Sequence, residues 1–468
     1  MADKETGVSE ALCRYAVGLR FEDIPGEVVE RTKQAFLDFL GVAFGGHEVA
    51  DSTVPVTRGI ASLAAGASSR CTVLGEHASY PPQYAALLNG VYAHSMDFDD
   101  THNESVMHPG ATVFPTLLAL GENDDKSGKA FLTAANVGYD VGNKIGIAHG
   151  TAMHDRGFHP TATTGIFGCT LAGASLLGLS PEETRNAFGL NVSQSAGRHQ
   201  FRINGAWDKR VHTGLAAHNA ILALTLARFD YLGSREPIEG RYGYFTLIAD
   251  EKVDPQRALE GLGSVFEVMR TATKPYPCCR CIHSTIDAVL NIVAANGLSR
   301  DDIARIAIEV SPWAYQVVGE PTERRLRPRT PVDAQFSLYF GAAASAGGRY
   351  NWQSYKLIGS PGIVDLMGRI HVTPSPQVPR FGTGVTLETR DGRRFVDERS
   401  LPLGEPEIPM SAEECERKFL DWAEPVLGRT RANDVLHLVS ELETLDSMRA
   451  LSPHLKALRQ AEAVAANG

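Results

Sequence analysis

The sequence predicts a mainly α fold, in which a large all-helical domain is interrupted by a smaller α+β lid domain. Apolar residues recur with helical spacing over most of residues 8–270, and the same spacing returns after residue 400. Alternating, β-branched segments are confined to the part between. We therefore assign residues 1–270 and 401–468 to the helical domain and residues 271–400 to the lid domain.

The first long helix is predicted directly after Pro25. Val29, Phe36 and Leu40 fall near one face, and the pair Gly45-Gly46 predicts its end. Further helices are predicted at "PPQYAALLNGVYAHSMDF", "ATVFPTLLALGEN", "GKAFLTAANVGYDVGNKIG", "PEETRNAFGLNVSQSAG" and "TGLAAHNAILALTLARF". Ala and Gly at many of their apolar positions indicate close helix packing.

The segments "IARIAIEVSP" and "RIHVTPSP" predict strands of the lid domain. In "GVTLETRDGRRFVDER" the dipeptide Asp391-Gly392 lies between two alternating runs, which is a strong hairpin signal. The stretch "PVDAQFSLYFGAAASAGG" predicts a helical part within the same region.

Composition excludes several classes of protein. The 468 residues carry a formal charge of -10, which does not favour nucleic-acid binding. The most apolar segments are too short and too interrupted to span a membrane, and the N-terminal segment lacks the apolar core of a signal peptide. We expect a cytoplasmic protein whose seven cysteines are free thiols.

The stretch "AHSMDFDDTHNESVMHPG" concentrates acids and histidines. On a helix through residues 92–101, His94, Asp97 and Thr101 would share one face, and Asp99 would point away as a structural or solvated group. His108 precedes a proline, so we expect it in extended backbone beyond the helix.

Two other interpretations of this stretch are a solvated helix end and a magnesium site. Asp99, Asp100 and Glu104 resemble the acidic motif of helical terpene synthases, which requires a second acidic motif. In the nearest candidate, "NVSQSAGRH", His199 stands where the glutamate is needed. The magnesium site is therefore disfavoured.

Two further segments carry histidines and cations. In "HDRGFHPTATTG", His159 precedes a proline at a predicted helix start, where a capping or core histidine is the alternative interpretation. In "NGAWDKRVHTGLAAHNA", Lys209 and Arg210 open a long apolar helix and oppose its dipole. Such cations indicate a nearby anion, which is either a substrate carboxylate or a protein acid.

The segment "TKPYPCCRCIHSTIDA" places Lys274, Arg280 and His283 at the predicted domain junction. Cys278-x-x-Cys281 followed by His283 is a partial zinc or iron–sulfur pattern that lacks a second clustered pair. We expect free thiols here and no bound metal. A pocket is predicted where the two domains meet.

Taken in order, "NGVYAHSMDFDDTH", "HPG", "GFHPTATTGIFG", "HTGLAAHNA", "KPYPCCRCIH" and "DAQFSLYF" resemble the MmgE/PrpD family, which includes 2-methylcitrate dehydratase. The resemblance covers residues 8–455. It implies a helical domain with an inserted lid, a homodimer, and activity on a small di- or tricarboxylate without metal or cofactor.

Carried over position by position, the resemblance implies a set of site residues in two groups. The implied catalytic residues are His108, His159, Asp97 and Lys209. The implied substrate-binding residues are Thr101, Lys274 and His283. We add Arg280 as a further substrate-binding residue, because a guanidinium group can hold a remote carboxylate through two parallel hydrogen bonds. The histidines would carry protons, and the lysines would stabilise negative charge that develops next to a carboxylate.

The expected activity is that of a metal-independent lyase similar to 2-methylcitrate dehydratase. The alternatives are a cis-aconitate decarboxylase or a dicarboxylate epimerase, because all three reactions share a charge that develops beside a carboxylate. A carboxylate-binding protein without activity is a more distant alternative, which the retention of every implied proton carrier disfavours.

Overall fold

Helices make up most of the fold, as predicted. The computed structural model describes residues 7–249 and 253–458, so residues 1–6 and 459–468, the ends of the predicted helical domain, lie outside it. The described helices are α1 (Val8–Gly18), α2 (Gly26–Val49), α3 (Thr53–Leu63), α4 (Pro82–His94), α5 (Gly110–Asn123), α6 (Gly128–His149), α7 (Ala152–Asp155), α8 (Pro160–Thr163), α9 (Gly165–Leu177), α10 (Pro181–Leu190), α11 (Phe201–Asn204), α12 (Asp208–Ala227), α13 (His283–Asn296), α14 (Pro312–Ala314), α15 (Glu323–Leu326), α16 (Pro331–Gln335), α17 (Leu338–Ser345), α18 (Pro361–Met367), α19 (Ala412–Leu427) and α20 (Arg429–Ser440).

The chain divides into two units. Unit 1 comprises Met1–Phe201, Trp207–Thr273 and Ser411–Gly468, and unit 2 comprises Arg202–Ala206 and Lys274–Met410. The predicted boundaries were residues 270 and 400, and the short segment Arg202–Ala206 was not predicted to join the second unit. Among the described residues, no helix is long and apolar enough to cross a membrane.

Local signals explain where several helices of unit 1 begin and end. Ser180 accepts a hydrogen bond from the Glu183 backbone N–H, and the Glu183 carboxylate accepts one from Ser180, so α10 begins with a capping box. Helix α9 ends at Gly178 in the left-handed conformation, with φ 67°. Helix α2 passes the predicted stop at Gly45-Gly46 and ends at Val49.

Glycine allows the helices of unit 1 to pack very closely, which explains why Gly45-Gly46 did not end α2. A Cβ on Gly46 would lie 1.9 Å from the Tyr92 carbonyl oxygen of α4, so only glycine fits there. A Cβ on Gly214 of α12 would lie 2.3 Å from the Leu87 carbonyl oxygen, also on α4. Helix α4 is thus held between α2 and α12, and its C-terminal residue is His94.

An aromatic core fixes α2 against the next two long helices. The ring centroid of Phe36 lies 5.2 Å from that of Phe114 on α5 and 4.8 Å from that of Phe131 on α6. All three rings are fully buried, and such pairs contribute beyond their apolar area. This core holds the N-terminal end of α5, which follows the histidine-rich stretch.

Unit 2 is built on a four-stranded sheet with the order β4-β3-β5-β6. The described strands are β1 (Cys71–Thr72) and β2 (Ser79–Tyr80) in unit 1, and β3 (Ile303–Val310), β4 (Ile370–Pro374), β5 (Thr383–Thr389) and β6 (Arg394–Arg399) in unit 2. Strands β3 and β4 are parallel, and the other pairs of this sheet are antiparallel.

The predicted hairpin at Asp391-Gly392 is confirmed. It joins β5 to β6, and Gly392 has a φ of 88°, a conformation that glycine adopts at little cost. The predicted helical part of this region is also confirmed, as α16 and α17. All seven cysteines lie within the described residues as free thiols, as predicted.

Candidate active site

The histidine-rich stretch leaves the helix earlier than predicted. Helix α4 ends at His94, and Asp97 takes a left-handed conformation with a φ of 53°. The Thr101 backbone N–H then donates to the Ala272 carbonyl oxygen at 3.0 Å, and the Ala272 N–H donates back at 2.8 Å. A helix through residue 101 is therefore wrong, because this distant pairing draws the chain into a loop.

The loop brings Asp99 towards the histidines instead of away from them. Its Oδ2 lies 2.6 Å from Nδ1 of His94 and 3.4 Å from Nδ1 of His108, and its side chain is buried. The prediction that Asp99 points away from this face is wrong, because the helical phase on which it relied ends at His94; of the two expected roles, structural or solvated, the solvated one is excluded by burial. His94 was predicted to share the face of Asp97 and Thr101 but was not assigned to the site.

Other acids of the stretch have separate partners. Asp100 is buried and accepts hydrogen bonds from the Tyr139 hydroxyl at 2.5 Å and the Gly110 backbone N–H at 3.0 Å. Glu104 is exposed and pairs with Arg270. Asp99, Asp100 and Glu104 thus point to three different environments, which agrees with the rejection of the terpene-synthase motif.

Asp97 is the anion that faces the cations at the start of α12. Its Oδ1 accepts a hydrogen bond from Lys209 Nζ at 2.8 Å, and both side chains are largely buried. Arg210, the next cation, pairs with Asp51 and donates to the Ser52 hydroxyl at 2.9 Å. The alternative that protein acids pair with these cations is confirmed for both.

His159 lies beside the same group of rings. Its ring stacks on that of His94 with centroids 5.5 Å apart, and the His94 ring meets the edge of the His108 ring at 4.8 Å. His159 Nδ1 also lies 3.1 Å from Nδ1 of His212, so one of these nitrogens carries a shared proton. The rings of His94, His108, His159 and His212 thus lie together within unit 1, and His199 adjoins them with its ring centroid 5.7 Å from that of His159.

Two threonines adjoin the cluster. The Thr161 hydroxyl accepts a hydrogen bond from the His108 backbone N–H at 3.2 Å, which fixes the chain on the far side of the loop. The Thr101 hydroxyl oxygen is buried without a hydrogen-bond partner among the described residues. Thr101 therefore has hydrogen-bonding capacity that a bound molecule could use.

Burial is the main cause of the pKa shifts of His94 and His159. Burial lowers the pKa of His94 to about 3, although Asp99 acts in the opposite direction. Burial and the neighbouring histidines together lower the pKa of His159 well below its ordinary value. Burial alone would raise the pKa of Asp99, but His94 and His108 lower it well below its usual range. Near neutral pH, Asp99 is thus ionised beside neutral His94.

His94, Asp99 and His108 are also the described residues that could hold a metal ion, with three donor atoms within 4.8 Å of one another. Two imidazoles and a carboxylate are a donor set that zinc and iron accept. Ligands about 2.1 Å from one tetrahedral ion lie about 3.4 Å apart, however. The 2.6 Å between His94 Nδ1 and Asp99 Oδ2 fits a charge-assisted hydrogen bond better.

Lys418 of α19 contacts the loop that follows His94. Its Nζ donates to the Phe98 carbonyl oxygen at 2.9 Å and lies 3.8 Å from the centroid of the Phe98 ring. The same ammonium is 2.6 Å from Oδ1 of Asp38 on α2. The residue between Asp97 and Asp99 is therefore fixed by a helix from the other end of the chain.

The remaining predicted site residues belong to unit 2. Lys274 is fully buried. Arg280 makes four hydrogen bonds: two to Glu405 Oε1 at 2.8 and 2.6 Å, one to the Leu403 carbonyl oxygen, and one to His283 Nδ1. His283 Nε2 lies 3.2 Å from the Cys278 carbonyl oxygen. These contacts show Arg280 and His283 as parts of one buried network.

Five of the predicted site residues lie within unit 1: Asp97, Thr101, His108, His159 and Lys209. Their imidazole groups can transfer protons, and the ammonium group of Lys209 can bind an anion. A buried acid/base cluster of this kind is typical of an enzyme active site, and the similarities that follow show an enzyme of the lyase class. The chain belongs to the MmgE/PrpD family: the family's N-terminal domain model matches residues 10–256 and its C-terminal domain model matches residues 276–444.

The chain is also similar over nearly its whole length to several proteins whose names give an activity. It is 27% identical over 470 residues to a cis-aconitate decarboxylase-like protein of Aspergillus oryzae, covering 94% of this chain and 95% of that protein. It is 27% identical to cis-aconitate decarboxylase of Aspergillus terreus, covering 96% of each chain. It is 28% identical to human cis-aconitate decarboxylase, covering 96% of this chain and 94% of that protein.

Proposed function

We propose that this protein decarboxylates a small unsaturated tricarboxylate of the cis-aconitate type. The observation that carries the proposal is the group formed by buried His94, Asp99 and His159 with the partly buried His108 beside Lys209, on a chain whose similar proteins are named cis-aconitate decarboxylases or cis-aconitate decarboxylase-like. The principal prediction of a 2-methylcitrate dehydratase is not supported by those names, and the predicted alternative is favoured.

The chemistry requires a cation and a proton donor. The bond between a CH₂ carbon and its carboxylate breaks, CO₂ leaves, and the electron pair forms a new C=C bond. The electrons of the old C=C bond then move to the carbon beside another carboxylate, where a proton is added. Negative charge that develops on that carboxylate is stabilised by a nearby ammonium group in a buried site.

The residues of unit 1 divide these tasks between them. Lys209 supplies the positive charge, and Asp97 holds its ammonium in place through the 2.8 Å hydrogen bond. His108 and His159 are the candidate proton donors, and Thr101 is a hydrogen-bond donor to a substrate carboxylate. Burial keeps His159 neutral in the free protein, and it gains a proton when a polyanion binds, because negative charge raises the pKa of a neighbouring imidazole.

We also propose that the substrate contacts three residues of unit 2: Lys274, Arg280 and His283. The bonds from Arg280 to Glu405 and His283 add a supporting role, since they orient the His283 ring. The homodimer and the cytoplasmic location stay predictions from the sequence. A metal is not part of the proposal, and treatment with a chelator tests that choice directly.

The decisive experiment is proton NMR in D₂O with EDTA-treated protein and separate samples of cis-aconitate, citrate, 2-methylcitrate and iminodisuccinate. The proposal expects CO₂ release from cis-aconitate alone and one deuterium at the carbon beside a carboxylate of the product. Dehydration of 2-methylcitrate, or activity that is lost with EDTA and restored by a divalent metal, would contradict it.

Variants of the proton carriers make the test specific. His108→Gln and His159→Gln should each lower turnover by about 10² to 10⁴. His149→Gln is the matched control, because His149 is equally buried but bonded at both ring nitrogens, to the Gly150 carbonyl oxygen and the Thr164 hydroxyl. Near-normal turnover in both site variants would reject the assignment.

A further inference from the structure

The His94 side chain is a feature that the family resemblance does not assign. It is fully buried at the end of α4, and its Nδ1 is bonded to Asp99 at 2.6 Å. Its other nitrogen, Nε2, is buried without a hydrogen-bond partner among the described residues. A buried polar atom without a partner destabilises the protein, and a ligand that bonds to it would remove that cost.

The bond to Asp99 determines which nitrogen is available. Asp99 is ionised and can only accept, so Nδ1 of His94 carries the hydrogen and Nε2 presents a lone pair. The rings of His108 and His159 pack against the same imidazole at 4.8 and 5.5 Å. The unpartnered nitrogen thus belongs to a residue inside the cluster of proposed proton carriers.

We infer that His94, held by Asp99, is a further substrate-binding residue that takes up one proton as the polycarboxylate binds. The inference rests on the proposed function. A solvent proton adds to the lone pair of Nε2, and the new N–H donates to a substrate carboxylate. The Nδ1 hydrogen stays bonded to Asp99, whose negative charge balances the imidazolium, and the proton returns to solvent when the product leaves.

The charged neighbours of His94 explain why the proton arrives with the ligand. Asp99 favours the charged imidazole, but burial opposes it more strongly, and Lys209 and His108 add to the opposition. His159 packs on the ring as a further histidine. A substrate with several carboxylates reverses this balance, because its negative charge favours the charged form of a neighbouring imidazole.

The test is calorimetry of tricarballylate binding to the whole protein. This saturated tricarboxylate has no C=C bond to accept the electrons of decarboxylation, so it binds without turnover. Titrations in phosphate and in Tris, which have different ionisation enthalpies, give the number of protons taken up per site. We expect His94→Gln to lose most of one proton of uptake and about tenfold or more in affinity.

Two further variants separate a binding role from a structural one. His149→Gln removes another buried histidine, whose pKa burial lowers to about 4, and should leave proton uptake unchanged. Asp99→Asn keeps the His94 ring but removes its counter-charge, so uptake should fall there too, and this variant decides the question if His94→Gln does not fold. Asp100→Asn changes the adjacent buried carboxyl group and should leave the proton uptake on tricarballylate binding unchanged.

The outcomes distinguish the inference from the proposed function. Unchanged uptake in His94→Gln or in Asp99→Asn, with binding retained, would overturn the inference alone. Failure of the wild-type protein both to bind tricarballylate and to convert cis-aconitate would overturn the proposed function, and the inference with it.

Discussion

Asp97 contacts Lys209 from a left-handed backbone conformation: its φ is 53°, and its Oδ1 lies 2.8 Å from the Lys209 Nζ. Aspartate and asparagine adopt this conformation more readily than alanine does. Position 97 therefore requires a residue that tolerates the left-handed conformation and whose side chain can accept a hydrogen bond from a cation.

We predict that Asp97→Asn lowers turnover by about 10² or more, because the turn survives and the charge does not. It should also lower the unfolding free energy, since the largely buried Lys209 ammonium group loses its anion. Asp97→Ala should cost about 1–2 kcal/mol more in unfolding free energy, since it also strains the backbone. Urea denaturation and turnover assays measure the two effects. Asp125, which has a φ of 55° and is exposed, is the control: Asp125→Ala should lose stability but keep turnover. Equal stability of the two Asp97 variants would contradict the backbone argument.

The adjacent carboxyl groups of Asp99 and Asp100 should differ in how their contributions to stability depend on pH. Burial raises the pKa of Asp100 from its ordinary 3.8 to about 7. Its contribution to stability is present below the ordinary pKa and is lost as the pH rises through about 7. We predict that Asp100→Asn gains about 2–4 kcal/mol relative to the wild type between about pH 5 and about pH 8, because asparagine has no proton to lose.

Urea denaturation at several pH values measures this gain. The pKa of Asp99 is lowered, so that group is ionised throughout the same range, and the difference between Asp99→Asn and the wild type should stay flat. A flat difference for Asp100→Asn would show that its carboxyl group is ionised well below neutral pH in the folded protein.

The contact between α2 and α4 should tolerate no side chain at Gly46. A Cβ there would lie 1.9 Å from the Tyr92 carbonyl oxygen, so we predict that Gly46→Ala separates the helices and lowers the unfolding free energy by about 3 kcal/mol or more. Gly59 on the exposed side of α3 is the control, since a Cβ there meets nothing within 4 Å. Gly59→Ala should be stabilising by about 0.5–1 kcal/mol. Thermal unfolding of both variants compares them, and similar melting temperatures would refute the close contact.

Arg280 and Glu405 should contribute to stability as a buried pair. We predict that Glu405→Gln lowers the unfolding free energy by about 3–5 kcal/mol, because it leaves the guanidinium charge buried without its anion. Glu323→Gln is the control, because its pair with Arg329 is 75% and 78% exposed, and the expected change is below about 1 kcal/mol. A small effect of Glu405→Gln in denaturant titrations would leave Arg280 with substrate binding as its main role.

The sequence predicted the chemical types in the site better than their arrangement. Periodicity was sufficient for most helices, and Asp391-Gly392 was sufficient for the hairpin, because both signals are local. The loop after His94 was mispredicted because it depends on the left-handed turn at Asp97 and on the pairing of Thr101 with Ala272, which is distant in sequence. For the same reason, Asp99 was predicted to point away from the site, and His94 was placed on the face of Asp97 and Thr101 without a role in the site. Their spacing within one short motif was the signal that could have found them.

The contact of Lys418 with Phe98 sets an order of events during synthesis. The loop that carries Asp97 and Asp99 emerges from the ribosome early, but the ammonium group that bonds to its backbone belongs to α19 and emerges after all of unit 2. While the nascent chain is still growing through residues 274–410, the loop of unit 1 therefore lacks this support. A chain that terminates before α19 contains every residue of the cluster but not the ammonium group that holds the Phe98 carbonyl oxygen.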